Sequence, residues 1–443
     1  MDGKGPIAAT PNRAGPFWAP AATSSPGYRW FVLILLTFVY VLNFLDRQLL
    51  SILAKPIQDE LQVTDGQLGL LGGLYFALFY CGISLPVAWF ADRGNRVRVL
   101  SIACALWSVA TVASGMAGSY AQLALARMAV GVGEAGGAPP SYAILSDYFP
   151  PQQRGRALGL FNLAPPLGQA LGVAFGATLA ALYDWRLAFI VLGAVGVVAA
   201  VIVWGTVGEP TRGASDPDGG KAAAEGPKAS FWQGTRDFFR RPALTLVAMA
   251  SGATQFITYA MANFAVLFLM REKGMGLADV ALYFSLLVGV AVSGGIYVSG
   301  WLVDRLGRRS PRAFALVPAG ALALAIPFYI GFVHVPDWQT AMLFLSIPFF
   351  LNFFYLTPAI TQVQNAVPAY QRTLAGALLL LVMNLIGLGL GPTYLGAMSD
   401  HFRSGGADNP LQMAFYSLLP FYLIAIAIYV ALSAAIAREH KRA

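Results

Sequence analysis

The sequence predicts an all-α polytopic membrane protein with twelve transmembrane helices in two six-helix halves. Hydrophobic residues make up 57% of the 443 residues and charged residues only 11%, whereas a soluble chain carries about 25% charged residues. The apolar residues also come in blocks of about twenty, the length that a helix needs to cross a bilayer. These blocks do not alternate with a period of two, which excludes a transmembrane barrel. A third observation, a motif that recurs halfway along the chain, predicts the two halves.

Twelve apolar blocks are separated by loops that contain Gly, Pro and charged residues. The six predicted spans of the first half lie near 28–51, 67–91, 97–117, 121–148, 157–182 and 186–206. Those of the second half lie near 243–270, 278–303, 313–333, 338–366, 374–399 and 410–437. Proline lacks the N–H group and clashes with the preceding turn. We therefore expect bends or breaks at Pro139–Pro140, Pro165–Pro166 and Pro392.

The distribution of Lys and Arg predicts on which side of the membrane each loop and each terminus lies. Of the 29 basic residues, 22 fall in the segments on the side of the chain ends, five fall on the other side, and Arg47 and Arg127 lie within spans. By the positive-inside rule, both termini are cytoplasmic and the protein is a multi-pass protein of the cell (inner) membrane. The expected segments are a disordered tail (1–27), a first bundle (28–206), a linker with an interfacial amphipathic segment (207–241), a second bundle (242–437) and a short tail (438–443).

The same composition excludes several function classes. The net charge of +8 resides in short loops, so it reflects topology and not nucleic-acid binding. Cys81 and Cys104 lie inside apolar blocks, which favours buried thiols over a disulfide framework. The sequence contains no phosphate-cradling loop, nucleophile–base pair or metal-ligand cluster. We therefore expect neither an enzyme nor an ATP-driven pump, and no cofactor or metal.

The motif that marks the two halves follows the second and eighth spans. Residues 300–309 read GWLVDRLGRR and residues 88–97 read AWFADRGNRV; a second pair, PPQQRGRA (150–157) and PAYQRTLA (368–375), follows the fourth and tenth spans. The chain resembles the major facilitator superfamily, whose loop signature Gly-x-Leu-x-Asp-Arg-x-Gly-Arg-Arg is matched in full at 300–309. The copy at 88–97 is degenerate, since Ala88, Phe90, Asn95 and Val97 replace signature residues. The resemblance implies the superfamily fold, in which two halves rock about a central site.

Two further runs carry a resemblance to one branch of the superfamily. Span four contains Arg127, Gly131, Gly133 and Glu134-Ala135-Gly136, and span one contains Asn43-Phe44-Leu45-Asp46-Arg47. Together they look most like the spinster branch, whose members export lysophospholipids and lipids of the sphingosine-1-phosphate type. An amphiphilic lipid substrate is what this resemblance implies.

Ionisable side chains inside a bilayer are costly, so each one is a functional hypothesis. Arg127 and Glu134 are seven residues apart and share a helix face. Counted along their helices, Asp46 and Arg127 lie at similar depths, so they can meet if spans one and four are neighbours, as they are in the superfamily. We expect Asp46, Glu134 and Arg127 to couple transport to protons, with Arg47, Arg127 and Glu134 at the substrate. The alternatives are a static salt bridge that pins spans one and four, and substrate binding without protons.

Neutral polar residues in the spans are further candidates. Asn263, Asn352 and Asn384 are assigned to the substrate, although interhelical hydrogen bonding explains such residues equally well. The resemblance also implies a cytoplasmic gate made of loop residues, whose alternative role is positive-inside anchoring and helix capping. The gate set comprises Asp92, Arg93, Arg154, Asp304, Arg305, Arg308 and Arg372.

The function predicted from the sequence is proton-coupled transport of an amphiphilic lipid by alternating access. The partners are that lipid or a small amphiphile, protons and membrane lipids, with no nucleic acid, and a monomer is expected. Symport of small organic anions and multidrug efflux are the alternatives within the same class. A non-transporting membrane receptor is the alternative from a different class.

Overall fold

The computed structural model describes residues 25–211, 231–367 and 371–442. All regular structure in these residues is helical. Within the described residues, eleven helical segments are long and apolar enough to cross a membrane. They match the predicted spans except the fourth, which is divided into two shorter helices.

The first half contains ten helices that together form six passages through the membrane. They are α1 (Pro26–Ile52), α2 (Ala54–Leu61), α3 (Asp65–Gly72), α4 (Leu74–Arg93), α5 (Arg96–Gly115), α6 (Tyr120–Glu134), α7 (Ala138–Tyr148), α8 (Pro151–Phe161), α9 (Ala164–Leu182) and α10 (Trp185–Thr206).

The second half begins after the linker helix α11 (Phe231–Arg240). Its helices are α12 (Pro242–Lys273), α13 (Leu277–Asp279), α14 (Ser285–Gly307), α15 (Ala313–His334), α16 (Trp338–Leu351), α17 (Leu356–Ala366), α18 (Arg372–Met383), α19 (Gly391–Ser404), α20 (Pro410–Tyr416) and α21 (Leu419–Arg442). Two π-helical segments (Val280–Phe284 and Asn384–Leu390) and a 3₁₀ segment (Asn352–Tyr355) interrupt the spans.

Short polar side chains begin many of these helices. Asn95 accepts a hydrogen bond from the backbone N–H of Arg98 (2.8 Å), and Asp337 accepts one from that of Thr340 (2.7 Å). Each bond satisfies an N–H group that the first turn of a helix leaves without a partner.

The prolines act as expected from the sequence. Helix α6 ends at Glu134, and α7 begins at Ala138 with Pro139–Pro140 in its first turn. Pro165–Pro166 occupy the first turn of α9, and Pro392 occupies that of α19. A proline in the first turn loses no intrahelical hydrogen bond, so the chain restarts a helix at each of the three places.

Glycines allow the helices of the first half to approach closely. A Cβ atom on Gly168 of α9 would lie 2.5 Å from the carbonyl oxygen of Val41 in α1, and one on Gly193 of α10 would lie 2.5 Å from that of Ser108 in α5. Small residues at such crossings bring helix backbones together in a membrane. The pairs α1–α9 and α5–α10 are the tightest of this half.

The two halves meet on one side of the membrane. We call the side of Pro26 and Arg442 the terminal face and the other side the opposite face. Helix α3 packs on α19, α4 on the Asn384–Leu390 segment, and α1 on α12. Within the described residues, the hydrogen bonds and ion pairs that join the halves lie towards the opposite face. These contacts close the opposite face.

Candidate functional site

Four charged side chains from α1 and α6 meet in the interior of the first half. Arg127 donates from Nη1 to Asp46 Oδ2 over 3.0 Å, and Arg47 donates from Nε to Glu134 Oε2 over 2.6 Å. Asp46, Arg127 and Glu134 are each at most 2% exposed. Neighbouring residues of α1 thus pair with residues seven apart on α6. We call these four residues the charge quartet, and its formal charges sum to zero.

The Asp46 carboxylate has a second partner on α5. Its Oδ1 atom lies 3.1 Å from Thr111 Oγ1, which also lies 2.9 Å from the carbonyl oxygen of Trp107. A hydroxyl group has one proton to donate, so Thr111 bonds either Asp46 or its own helix at any moment. The pair of Asp46 and Arg127 is therefore fixed by three helices of the first half.

Some hydrogen-bonding capacity in the charge quartet is unused. Glu134 Oε1, Arg127 Nε and the neighbouring Asn43 Nδ2 are buried and have no hydrogen-bond partner in the described part of the chain. A buried polar atom without a partner costs about 1–3 kcal/mol. A proton or a ligand that bonds one of these atoms would therefore remove part of this cost.

Arg47 lies within a ring of aromatic side chains. Its guanidinium carbon is 5.0 Å from the ring centre of Phe44, 5.0 Å from that of Phe76 and 4.9 Å from that of Tyr80. A cation over an aromatic face in a desolvated site gains about 2 kcal/mol. We call Phe44, Phe76 and Tyr80 the aromatic cage. Arg47 thus contacts the cage in addition to its bond to Glu134.

A pocket between the two halves adjoins the charge quartet. Arg47 and Arg127 line it, whereas Asp46 and Glu134 lie behind them. The rest of its lining mixes polar and apolar side chains from both halves: Phe44, Gln48, Ser51, Phe76, Gln169, Thr258, Tyr259, Asn263, Phe353 and Leu388. Such a surface suits a ligand with an anionic end and an apolar body.

Comparison with known proteins is decisive at this point. The sequence profile of the Major Facilitator Superfamily matches residues 36–392. The chain belongs to the Major Facilitator Superfamily. An MFS-type efflux pump from Mycolicibacterium smegmatis is 31% identical over 394 residues, which are 89% of this chain and 90% of that protein.

The spinster branch is also among its relatives. Protein spinster homolog 1 from Rattus norvegicus is 26% identical over 431 residues, covering 93% of this chain and 80% of that protein. The crystal structure of a bacterial homologue of the human lysosomal transporter spinster, in an inward-facing and unoccupied conformation, superimposes with a TM-score of 0.85. That comparison has 32% identity and covers 94% of this chain and 98% of the other. The superfamily and branch predicted from sequence are therefore confirmed, and the chain is a transporter and not an enzyme.

The predicted asparagines differ in position. Asn263 lines the pocket of this superfamily member. Asn352 does not, because it is fully buried and donates to Tyr422 Oη over 3.0 Å, which joins two helices of the second half. Asn384 accepts from Gln255 Nε2 over 3.0 Å and is also absent from the lining. Asn352 and Asn384 both make interhelical hydrogen bonds, the alternative that their sequence equally allowed, and their assignment to the substrate stays a prediction.

The predicted cytoplasmic gate is only partly within the described residues. The side chains of Asp92, Arg93 and Arg372 lie outside them. Asp304, Arg305 and Arg308 are exposed on the terminal face, where Arg305 lies over the ring of Trp301 at 5.6 Å. Arg154 is half-buried on the same face. The role of these residues as a cytoplasmic gate stays a prediction.

Sequence reasoning missed a buried ion cluster on the terminal face. Arg96 donates from Nη1 to Asp147 Oδ2 over 2.5 Å and from Nε to Glu209 Oε1 over 2.7 Å. The second oxygen of Glu209 accepts from the backbone N–H of Val97 over 3.0 Å, at the start of α5. Arg96 belongs to the copy of the repeated loop motif at 88–97, so the sequence did mark this residue. Its partners come from 51 and 113 residues away, and no local pattern links them.

Proposed function

We propose that this superfamily member is a proton-coupled secondary transporter of an amphiphilic lipid, with both termini in the cytoplasm. The lipid class follows from the relationship to spinster proteins and from a pocket with a cationic end and an apolar wall. The orientation follows from the excess of Arg and Lys in the loops of the terminal face. The active unit is the single chain, in a cell (inner) membrane.

Proton coupling is supported above all by the pair of Arg47 and Glu134. Glu134 has one bonded and one unpartnered oxygen in a water-poor site, so a proton on this carboxylate removes the charge that holds Arg47. The charge quartet then carries one net positive charge. An anionic headgroup at Arg47 restores neutrality, which is favourable in a bilayer where an uncompensated charge is costly. One proton and one anion thus stabilise each other.

The two arginines have different roles in this mechanism. Arg127 is pinned by Asp46, whose other oxygen faces Thr111. Arg47 faces the pocket, uses only its Nε in the described bonds and stays in the aromatic cage. Its two terminal nitrogens can bind a phosphate or carboxylate in the forked manner of arginine. We therefore assign the headgroup to Arg47 and the fixed countercharge to Arg127.

Multidrug efflux is a second candidate, and the relative from Mycolicibacterium smegmatis is the observation that favours it. An aromatic cage beside a carboxylate also suits a lipophilic cation, provided that Arg47 moves away. Symport of a small organic anion would use Arg47 in the same way as the lipid headgroup. The three substrates therefore have to be compared directly.

The test is transport by the purified protein in liposomes. Radiolabelled lysophospholipid, sphingosine-1-phosphate, an aromatic carboxylic acid and a lipophilic cation are offered with and without a pH gradient. We expect gradient-driven movement of a lysolipid, and we expect Glu134→Gln and Asp46→Asn to abolish its dependence on the gradient. Asp59→Asn is the matched control, because Asp59 is an exposed acid paired only with Lys55. Lysolipid movement at the same rate with and without the gradient would disprove proton coupling. Gradient-driven movement of the lipophilic cation alone would disprove lipid transport and support multidrug efflux.

A further inference from the structure

Asp65, at the start of α3, is the most densely bonded carboxylate of the opposite face. Its Oδ1 accepts from Arg271 Nη1 (2.9 Å) and Gln58 Nε2 (2.5 Å). Its Oδ2 accepts from Arg271 Nη2 (2.8 Å), Ser399 Oγ (2.6 Å) and Arg403 Nη2 (2.7 Å). The side chain of Asp65 is fully buried. Three of its four partners belong to the second half, so this carboxylate joins the halves.

A carboxylate of the second half makes the reciprocal contact. Asp400 of α19 accepts from the backbone N–H of Asp65 (3.1 Å) and from that of Gly66 (2.8 Å). These are the first amides of α3, where a negative charge is favoured. A Cβ atom on Gly66 would lie 2.6 Å from Asp400 Oδ2, so glycine is what permits the approach. We call Asp65, Arg271, Ser399, Asp400 and Arg403 the opposite-face lock.

The end of α12 connects the lock to other helices of the second half. Arg271 bonds Asp65, while the next residue, Glu272, accepts from the backbone N–H groups of Leu411 (2.9 Å) and Gln412 (3.0 Å) at the start of α20. Lys273 then donates to the carbonyl oxygens of Val333 and Val335 at the end of α15. Through these bonds Asp65 is connected to three segments of the second half: the end of α12, the start of α20 and the end of α15.

Helix backbones also touch beneath the lock. Thr393 Oγ1 lies 3.2 Å from the backbone N of Leu74, and a Cβ atom on Gly73 would lie 2.7 Å from the carbonyl oxygen of Gly389. No chain segment or ligand can pass between α3 and α19 while these contacts hold. These contacts therefore close the route between α3 and α19 from the opposite face to the pocket that adjoins the charge quartet.

We propose that Asp65 is the residue that holds the opposite face closed, and that substrate exchange on this face requires Asp65 to release Arg271 and Arg403. This inference rests on the proposed transport by alternating access and adds a gate to it. Asp65 is fully buried, whereas the side chains of Arg271 and Arg403 are 20% and 44% exposed, so an open state must rehydrate above all the Asp65 carboxylate. The lock therefore separates two discrete states and not a continuum of partly open ones.

The test measures access to the pocket and needs no transport. A cysteine is placed in the pocket as Gln48→Cys, and membrane-impermeant maleimide is added to one face or the other of oriented vesicles. The two native cysteines, Cys81 and Cys104, are buried, so the protein without Gln48→Cys reports background labelling. In the lock variant Asp65→Asn, we expect labelling from the opposite face to rise about tenfold or more, because one partner of a buried ion pair is removed. Labelling from the terminal face should fall in the same variant.

The fall on the terminal face distinguishes opening from misfolding, since an unfolded protein would be labelled from both sides. Glu60→Gln is the matched control. Hydrogen bonds from Arg186 and Trp185 lower the pKa of Glu60, so it is also an ionised acid paired with an arginine on this face. Its partners belong to its own half, so labelling should not change.

Unchanged labelling from the opposite face in Asp65→Asn, or a rise on both faces, would overturn the lock. The result is separable from the proposed function. A shift in labelling with no transport of any offered substrate would retain the lock and reject the lipid transporter. Proton-driven lipid transport with unchanged labelling would retain the lipid transporter and reject the lock.

Discussion

Arg47 and Arg127 show how far the surroundings of a residue decide its role. Both are arginines in the membrane and both pair with an acid, but Arg127 is buried with a fixed partner while the Arg47 side chain is 16% exposed and faces the pocket. Three ring faces surround Arg47, whereas Arg127 has one, that of Phe76 at 5.9 Å. We therefore expect the cage to keep Arg47 in place when its partner changes.

We predict that Arg47→Lys weakens substrate binding by about tenfold or more. Lysine keeps the charge, but it has no planar face for the cage and no forked donors for a headgroup. Equilibrium binding of the transported substrate to the detergent-solubilised protein measures the change. Arg98→Lys is the control, since Arg98 is exposed on the terminal face near Trp204. Equal affinity in Arg47→Lys and the parent protein would contradict the assignment of the headgroup to Arg47.

The asparagines provide a second prediction at this scale. Asn263→Ala should weaken substrate binding with little effect on stability, because Asn263 lines the pocket and bonds only its own helix at Tyr259 O (3.0 Å). Asn352→Ala should do the opposite and lower stability by about 1–3 kcal/mol, because Tyr422 loses its buried partner. Binding and thermal unfolding are measured on both variants. A binding defect in Asn352→Ala with unchanged stability would instead assign Asn352 to the substrate.

At the scale of the element, the fourth span determines where Glu134 lies. Helix α6 ends at Glu134, and the turn at residues 135–137 precedes the prolines that restart the chain as α7. Glu134 is therefore held at a helix end by the packing of α6 against α4 and α5. This packing depends on Gly131 and Gly133, where a Cβ atom would lie 2.8 Å from Phe76 O and 2.5 Å from Trp107 N.

We predict that Gly133→Ala lowers stability by about 1–3 kcal/mol, as overpacking of a well-filled interior does. The close neighbour is backbone of α5 and cannot rotate away. Gly82→Ala is the matched control, because Gly82 lies within a span and a Cβ atom there meets nothing within 4 Å. The control should be neutral or slightly stabilised, since alanine favours a helix over glycine. Thermal unfolding in one detergent compares the two variants, and equal unfolding temperatures would contradict the close packing of α6 on α5.

The linker helix α11 lies where the sequence predicts an interfacial amphipathic segment. The amphipathic segment expected at its position is a helix with Phe238 buried and Trp232 and Phe239 exposed. Arg241, just after it, donates to the carbonyl oxygen of Ala366 over 2.6 Å. One side of the linker helix thus binds the second half, and we propose that its exposed aromatic residues lie in the membrane interface.

At the scale of the whole molecule, the two faces are unequal although the sequence repeats. The opposite-face lock joins the halves, while Asp304, Arg305 and Arg308 of the repeated loop motif are exposed on the terminal face. We expect a second arrangement of the two related halves, in which the terminal face closes.

We predict a reciprocal change of distance when the lock is removed. Spin labels at Gln152 and Asn365, exposed on the terminal face of the two halves, should approach each other in Asp65→Asn. Labels at Gln62 and Ser404 on the opposite face should separate. Double electron–electron resonance measures both distances, and Glu60→Gln serves again as the control. A change at one face without the other would exclude rocking of the halves.

The sequence by itself determined the class of protein, the number and limits of the spans, the family and the four residues of the charge quartet. These depend on local or periodic properties: apolar length against the thickness of a bilayer, loop charge, and the cost of an ionisable group in hydrocarbon. The contact between Asp46 and Arg127 followed from depth once their helices were taken as neighbours. The division of the domains and the roles of the quartet stay predictions.

Only the tertiary structure decided which asparagines face the pocket, that Arg47 is bound by Glu134 and three aromatic rings, and which face is closed. The lock depends on Asp65 and Asp400, which are 335 residues apart, and on glycines that let two helices touch. Asp65 lies outside every motif that the sequence shows. Its burial and its partners arise from the packing of one half against the other, and neither composition nor periodicity within a single span contains that information.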